Sequence, residues 1–183
     1  RFPRSALYRL PPAAPGDGCD PGEDSQRTLE SLRRRLGEGG IFTEAGAEGG
    51  ESLLAEAEAV IAAVEEKDEL RLCYRPTVVY SLPIEEVLFE ASDGPDFDIR
   101  VRSTLRPGEL VRVLWEASGW RYLRGRYVSG WVRGGALTPA LEEGAVRPFL
   151  ESASSAVIME DHVPLWRDSQ RRQLLYSVGL GTR

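Results

Sequence analysis

Cutting a peptide bond with a thiol needs a nucleophile, a base within hydrogen-bond reach and a polar group that orients the base. The side chains here that could begin such chemistry are Cys19, Cys73 and His162. Their settings argue against it. Cys19 sits in a loop of Gly, Pro and Asp. Cys73 lies in a strand-like stretch where a buried, inert thiol is expected. His162 falls in the turn Glu160-Asp161-His162-Val163, and an exposed turn histidine is expected there. No catalytic residue is therefore assigned. Two distant cysteines and one histidine make no zinc ligand set, and neither a metal nor a cofactor is expected. The spacing of Cys19 and Cys73 gives no indication of a disulfide between them.

Recognition chemistry is better represented. Trp115, Trp120, Tyr122, Tyr127 and Trp131 crowd one short stretch. Each offers a large apolar surface, and most of it carries a polar N–H or O–H edge. Aromatics this dense on neighbouring short strands can floor a groove for a peptide. They could also fill a core. A unit of roughly 60 residues has too small an interior for all of them, so at least one of Trp120 and Trp131 is expected to face solvent. All five are candidate ligand-binding residues.

The elements that would position them follow from the pattern. Gly119-Trp120 and Gly130-Trp131 each open a β-rich run, and two adjacent antiparallel strands are expected. Upstream, Arg106-Pro107-Gly108-Glu109 is a turn and Leu110 to Trp115 a strand. Val78 to Pro83 is a short strand ended by its proline, and Asp93-Gly94-Pro95-Asp96 is a turn. A long loop is expected between that strand and Pro107. Gly134 to Leu137 is a short turn, followed by a connection through Pro139 and Gly144.

Towards the N-terminus the period becomes helical. Residues 1–24 read as a Pro- and Gly-rich linker. Ser25 is the expected cap of a helix with Leu29, Leu32 and Leu36 on one face and a solvated basic run, Arg33 to Arg35. Glu38 to Gly50 reads as a loop. Leu53, Leu54, Ala57, Val60, Ile61 and Val64 predict a helix over 52–66. Near the C-terminus, 156–160, 163–166 and 174–178 read as short strands. Pro164 marks the second as edge-like.

The chain has 183 residues, 42% of them hydrophobic and 28% charged, as in ordinary globular proteins. A net charge of −6 argues against nonspecific nucleic-acid binding, which needs basic surface. No apolar run approaches the roughly 20 residues of a membrane helix. The chain opens at Arg1 and its only methionine is Met159, so a processed or trimmed start is expected. Three C-terminal strands are too few to close a small barrel, so a chain cut within a domain is expected there.

The serial order of Ser81-Leu82-Pro83, the run Ser103 to Leu114, the run Ser118 to Val132 and the run Val157 to Arg183 resembles a known family. It is similar to the N-terminal half of multidomain NlpC-type cell-wall cysteine peptidases. There a helical stabilising domain precedes two bacterial SH3 barrels and a papain-like catalytic domain follows. The likeness covers about 76–183 and is weaker over 1–75. It implies an α+β fold: a helical N-terminal segment (1–75), an SH3-like small β-barrel (76–140) and the start of a second (150–183). The implied role is the non-catalytic, substrate-binding and stabilising region of a peptidoglycan endopeptidase of the cell envelope, periplasmic or secreted. Its partners would be a peptidoglycan stem peptide and a catalytic domain. The alternative is a free-standing SH3-like interaction protein of the envelope.

Overall fold

The structure, a computed structural model, describes residues 20–43, 51–90, 97–152 and 163–178. Cys19, His162, the turn expected at 93–96 and the strand expected at 156–160 lie outside the described residues.

Helix α1 spans Pro21–Gly37. The Asp20 carboxylate caps it, accepting from the backbone N–H of Gly22 at 2.6 Å and of Glu23 at 3.3 Å. Pro21 takes the first helical position, where a missing N–H costs nothing. The helix thus begins ahead of the Ser25 cap expected from the sequence, because Asp20-Pro21 is the stronger start signal. Ser25 is buried within it. Gly39, at φ +71°, turns the chain out of the helix.

Helix α2 spans Glu51–Ala62. Leu54 and Ala57 are buried, and they pack with Leu29, Leu32, Ile41, Leu82, Ile84 and Leu88 into one core. A short antiparallel pair, β1 (Phe42–Thr43) with β4 (Leu88–Phe89), borders it. The basic run on α1 stays on the surface, where Arg33 pairs with Glu58 at 2.5 Å and Arg35 with Glu90. The helical period expected to run to Glu66 stops at Ala62. Strand β2 (Glu65–Leu72) follows almost at once.

Strand β2 joins β3 (Thr77–Tyr80), β5 (Val101–Leu105), β6 (Leu110–Ala117), β7 (Trp120–Arg124) and β8 (Ser129–Arg133). The sheet is antiparallel with order β2-β6-β7-β8-β3-β5. The two Gly-Trp runs are neighbours, as expected, with Tyr122 opposite Trp131. Gly108 (φ +87°) makes the turn that feeds β6, where Glu109 N–H donates to Arg106 O at 3.1 Å. Gly130 has φ +155°, and a Cβ there would lie 2.5 Å from Tyr80 O, so only glycine lets β8 cross β3.

Three features depart from the sequence expectation. First, the sheet is open rather than a closed barrel: among the described residues no pairing joins β2 to β5. The segment after β8 takes the outer side of β2 instead. Thr138 N–H donates to Leu72 O at 2.9 Å and Leu141 N–H to Leu70 O at 2.8 Å. Second, the sheet begins at Glu65, ahead of the boundary placed at 76, because β2 pairs with β6 along most of its length. Third, the loop expected before Pro107 contains β4 and β5, and the connection after Leu137 contains helix α3 (Glu143–Leu150). In β5 residues 102–104 are exposed, which leaves little apolar pattern to read. In α3, Gly144 and Pro148 read as breakers. They stand four apart, so the N–H that proline lacks would have bonded the Gly144 carbonyl.

The last described element is an antiparallel hairpin of β9 (Val163–Trp166) and β10 (Leu174–Val178), matching two of the three expected strands. The protein is thus a mixed helix-and-antiparallel-sheet fold.

Candidate functional site

Alternation along the strands divides the sheet's side chains into two sets. Val79, Leu105, Val111, Val113, Leu123 and Val132 meet on one side as a purely aliphatic core with Cys73 and Leu137. Trp120, Tyr122 and Trp131 cluster on the other, with Trp115 and Tyr80 beside them. The Tyr122 and Trp131 rings meet edge to face at 5.4 Å, and Trp115 lies 6.1 Å from Tyr122 and 6.3 Å from Trp131. Trp120 stands edge to face with Tyr80 at 5.8 Å, under the Arg133 guanidinium at 4.3 Å. A bulge in β6 between Val113 and Trp115 swings Trp115 into register with Tyr122.

Four of the five aromatic candidates are brought together here, and the aliphatic core indeed excludes them. The expected exposure is overturned, however. Trp120 is 3% exposed and Trp131 fully buried. Their cover is helical: Val60, Ile61 and Val64, at the end of α2 and just beyond it, pack on the rings. The first turns of α1 supply the polar partners. Tyr122 OH donates to Asp24 Oδ2 at 2.7 Å, and Trp131 Nε1 donates to Ser25 Oγ at 3.3 Å. Arg102 of β5 donates to both Asp24 oxygens, at 2.5 and 3.0 Å, and to Thr28 Oγ1 at 3.1 Å. Gly22 sits where a Cβ would be 3.4 Å from Trp115. Trp115 itself remains half-buried. Tyr127 stands apart at the β7–β8 turn, 82% exposed, with the Arg126 guanidinium 4.8 Å from its ring centre.

The sequence reading missed Asp24, Ser25, Thr28 and Arg102 as partners of the aromatics. Two of them sit in a segment that reads only as a linker end and a helix cap. No local signal links them to strands about a hundred residues later.

The described residues hold one cysteine, Cys73, as a buried free thiol. Its Sγ lies 2.9 Å from Arg75 O. Burial is the main influence on it and pushes its pKa up, so the thiol stays protonated and is a poor nucleophile. Among the described residues no three His, Cys, Asp or Glu side chains are grouped to hold a metal ion. Among the described residues no helix is long and apolar enough to cross a membrane. The arrangement can hold a shaped aromatic face and present an exposed Arg-Tyr tip.

No family model and no curated protein matches the chain. Among solved structures, it is similar to an NlpC/P60 endopeptidase from Photobacterium damselae subsp. piscicida. The match has a TM-score of 0.70 at 11% sequence identity and covers 92% of this chain. The likeness is one of fold, and the chain spans 39% of the length of that protein.

Proposed function

We propose that this chain is the non-catalytic, substrate-binding and stabilising region of a bacterial peptidoglycan endopeptidase. The reaction it serves is cleavage of a γ-D-glutamyl–diamino-acid bond by a papain-like domain carried outside these residues. The observation that carries the reading is the fold likeness: nearly the whole chain matches a part of an NlpC/P60 endopeptidase. The reading treats the six-stranded sheet as the first SH3-like unit and the β9–β10 hairpin as the start of a second. It places the protein in the cell envelope, periplasmic or secreted, with a stem peptide and the catalytic domain as partners. The five aromatics then divide by task. Trp120, Tyr122 and Trp131, with Trp115 beside them, fasten the helices to the sheet. Tyr127, exposed beneath Arg126, is the one placed to meet a ligand.

Co-sedimentation with purified peptidoglycan sacculi tests this. The chain should pellet with sacculi without releasing stem-peptide fragments, and Tyr127→Ala should pellet several-fold less. A chain that stays in the supernatant, or one that cleaves and loses that cleavage on Cys73→Ser, would sink the proposal.

A further inference from the structure

Three loops, 73–76, 106–109 and 125–128, meet at one end of β6. Gly108 N–H donates to Cys73 O at 2.7 Å and Cys73 N–H to Glu109 O at 2.9 Å, which bolts the first two together. A Cβ on Gly125 would lie 3.7 Å from both Leu105 and Val111, which bracket the second loop, so the third packs against it. These loops carry Tyr74, 44% exposed, and Tyr127, with Arg75, Arg106 and Arg126, all exposed. Glu109 is their one acidic residue. In a chain of net charge −6 this is a local reversal of sign. Arg71, Arg102, Arg112 and Arg121 of the same sheet each pair with a carboxylate, whereas among the described residues Arg75 and Arg106 pair with none. Two of the guanidiniums lie over tyrosine rings, Arg75 5.7 Å from the centre of Tyr74 and Arg126 4.8 Å from that of Tyr127. Stacking engages the planar face of a guanidinium and leaves its N–H edge for an acceptor. Tyr74 OH donates to Gly135 O at 2.6 Å, which holds that ring in place before any ligand arrives.

We propose that this loop end is a binding site for an acidic peptide. The guanidinium edges of Arg75 and Arg106 bond its carboxylates, and the rings of Tyr74 and Tyr127 receive the apolar stems between them. The cations stand on three separate loops rather than at one point, so they suit carboxylates spaced along a chain better than one small anion. Exposed rings favour a peptide, whose side chains carry methyl and methylene groups, over a bare phosphate polymer. Glu109, within the same loops, repels a dense polyanion but tolerates a peptide that also carries an amine. The site deepens the function proposed above: the choice of a stem peptide as the acid rests on that reading, and the carboxylate chemistry rests on the loops.

Calorimetric titration of the full chain with γ-D-glutamyl-diaminopimelate, once with free and once with amidated carboxyl groups, tests the site. The free acid should bind, and the amidated peptide about tenfold more weakly or not at all. Arg75→Gln and Arg106→Gln should each weaken binding of the free acid roughly five- to tenfold, with thermal midpoints unchanged because both side chains are exposed. Arg106→Lys should keep only part of the affinity, since an ammonium lacks the planar fork. Arg27→Gln, which removes an exposed charge from α1, should leave binding intact. An equal loss in Arg27→Gln would reduce the effect to net charge and overturn the site. Equal binding of the amidated peptide, or no binding of either, would overturn it too. Inorganic phosphate that binds as tightly as the free acid, and is lost in Arg75→Gln, would overturn the peptide assignment. Sacculus pelleting that survives Arg75→Gln combined with Arg106→Gln sinks this site alone. Peptide binding at these arginines without sacculus pelleting sinks the functional reading alone.

Discussion

Trp131 and Tyr127 lie four residues apart on one hairpin, and truncation should affect them in opposite ways. Trp131 is fully buried, packed against Tyr122 and bonded to Ser25. Trp131→Ala should cost about 3–5 kcal/mol, because the rigid sheet and helices cannot collapse into the space. Tyr127 is 82% exposed, and its truncation should stay within about 0.5 kcal/mol. Urea midpoints of the two variants check this, and the reverse order would mean that the aromatic face is open in solution. At this scale the sequence was half legible. The density of aromatics on adjacent strands marks a special surface, and the small aliphatic interior excludes them from one side. The cover, Val60, Ile61 and Val64, was legible as part of the apolar helix stripe; the polar partners were not. Asp24 and Ser25 are short polar side chains of types that also start helices, and local pattern cannot tell the two duties apart.

Ile61 is the element-scale pivot. It is half-buried and touches both the helical core and the aromatic cluster, so the end of α2 serves two packing surfaces at once. Ile61→Asp should place a charge there without a partner and cost several kcal/mol. Glu58→Ala removes only a solvent-exposed pair with Arg33 and should cost less than about 1 kcal/mol. Thermal midpoints decide between them; a larger loss from Glu58→Ala would mean that α2 presents its other face. Elements with strong internal signals were legible: the two Gly-Trp strands, the Pro107-Gly108 turn, and the apolar faces of α1 and α2. Elements fixed by tertiary pairing were not. The acidic start of β2 reads as the wet side of a helix, and only its ladder with β6 makes it a strand. In β5 an edge position leaves the solvent-facing residues polar.

Across the whole molecule, stability should be uneven. Strands β9 and β10 pair only with each other among the described residues, and two strands alone are marginal in water. Trp166 and Leu174 face each other across the hairpin at 37% and 54% exposure. Amide exchange should therefore be much faster in 163–166 and 174–178 than in 111–114, at the centre of the sheet. Equal, slow exchange in a monomer would show that the hairpin is self-sufficient. The contact between α1 and the sheet has a consequence for biosynthesis. Asp24 and Ser25 leave the ribosome far ahead of their partners, Tyr122 and Trp131, which follow 98 and 106 residues later. At ordinary elongation rates that interval is roughly 5–20 s. Within it Leu29 and Leu32 already meet Ile41, Leu54, Ala57, Leu82, Ile84 and Leu88, so the helical core closes first and the aromatic strands, arriving last, dock onto a helix that is already seated.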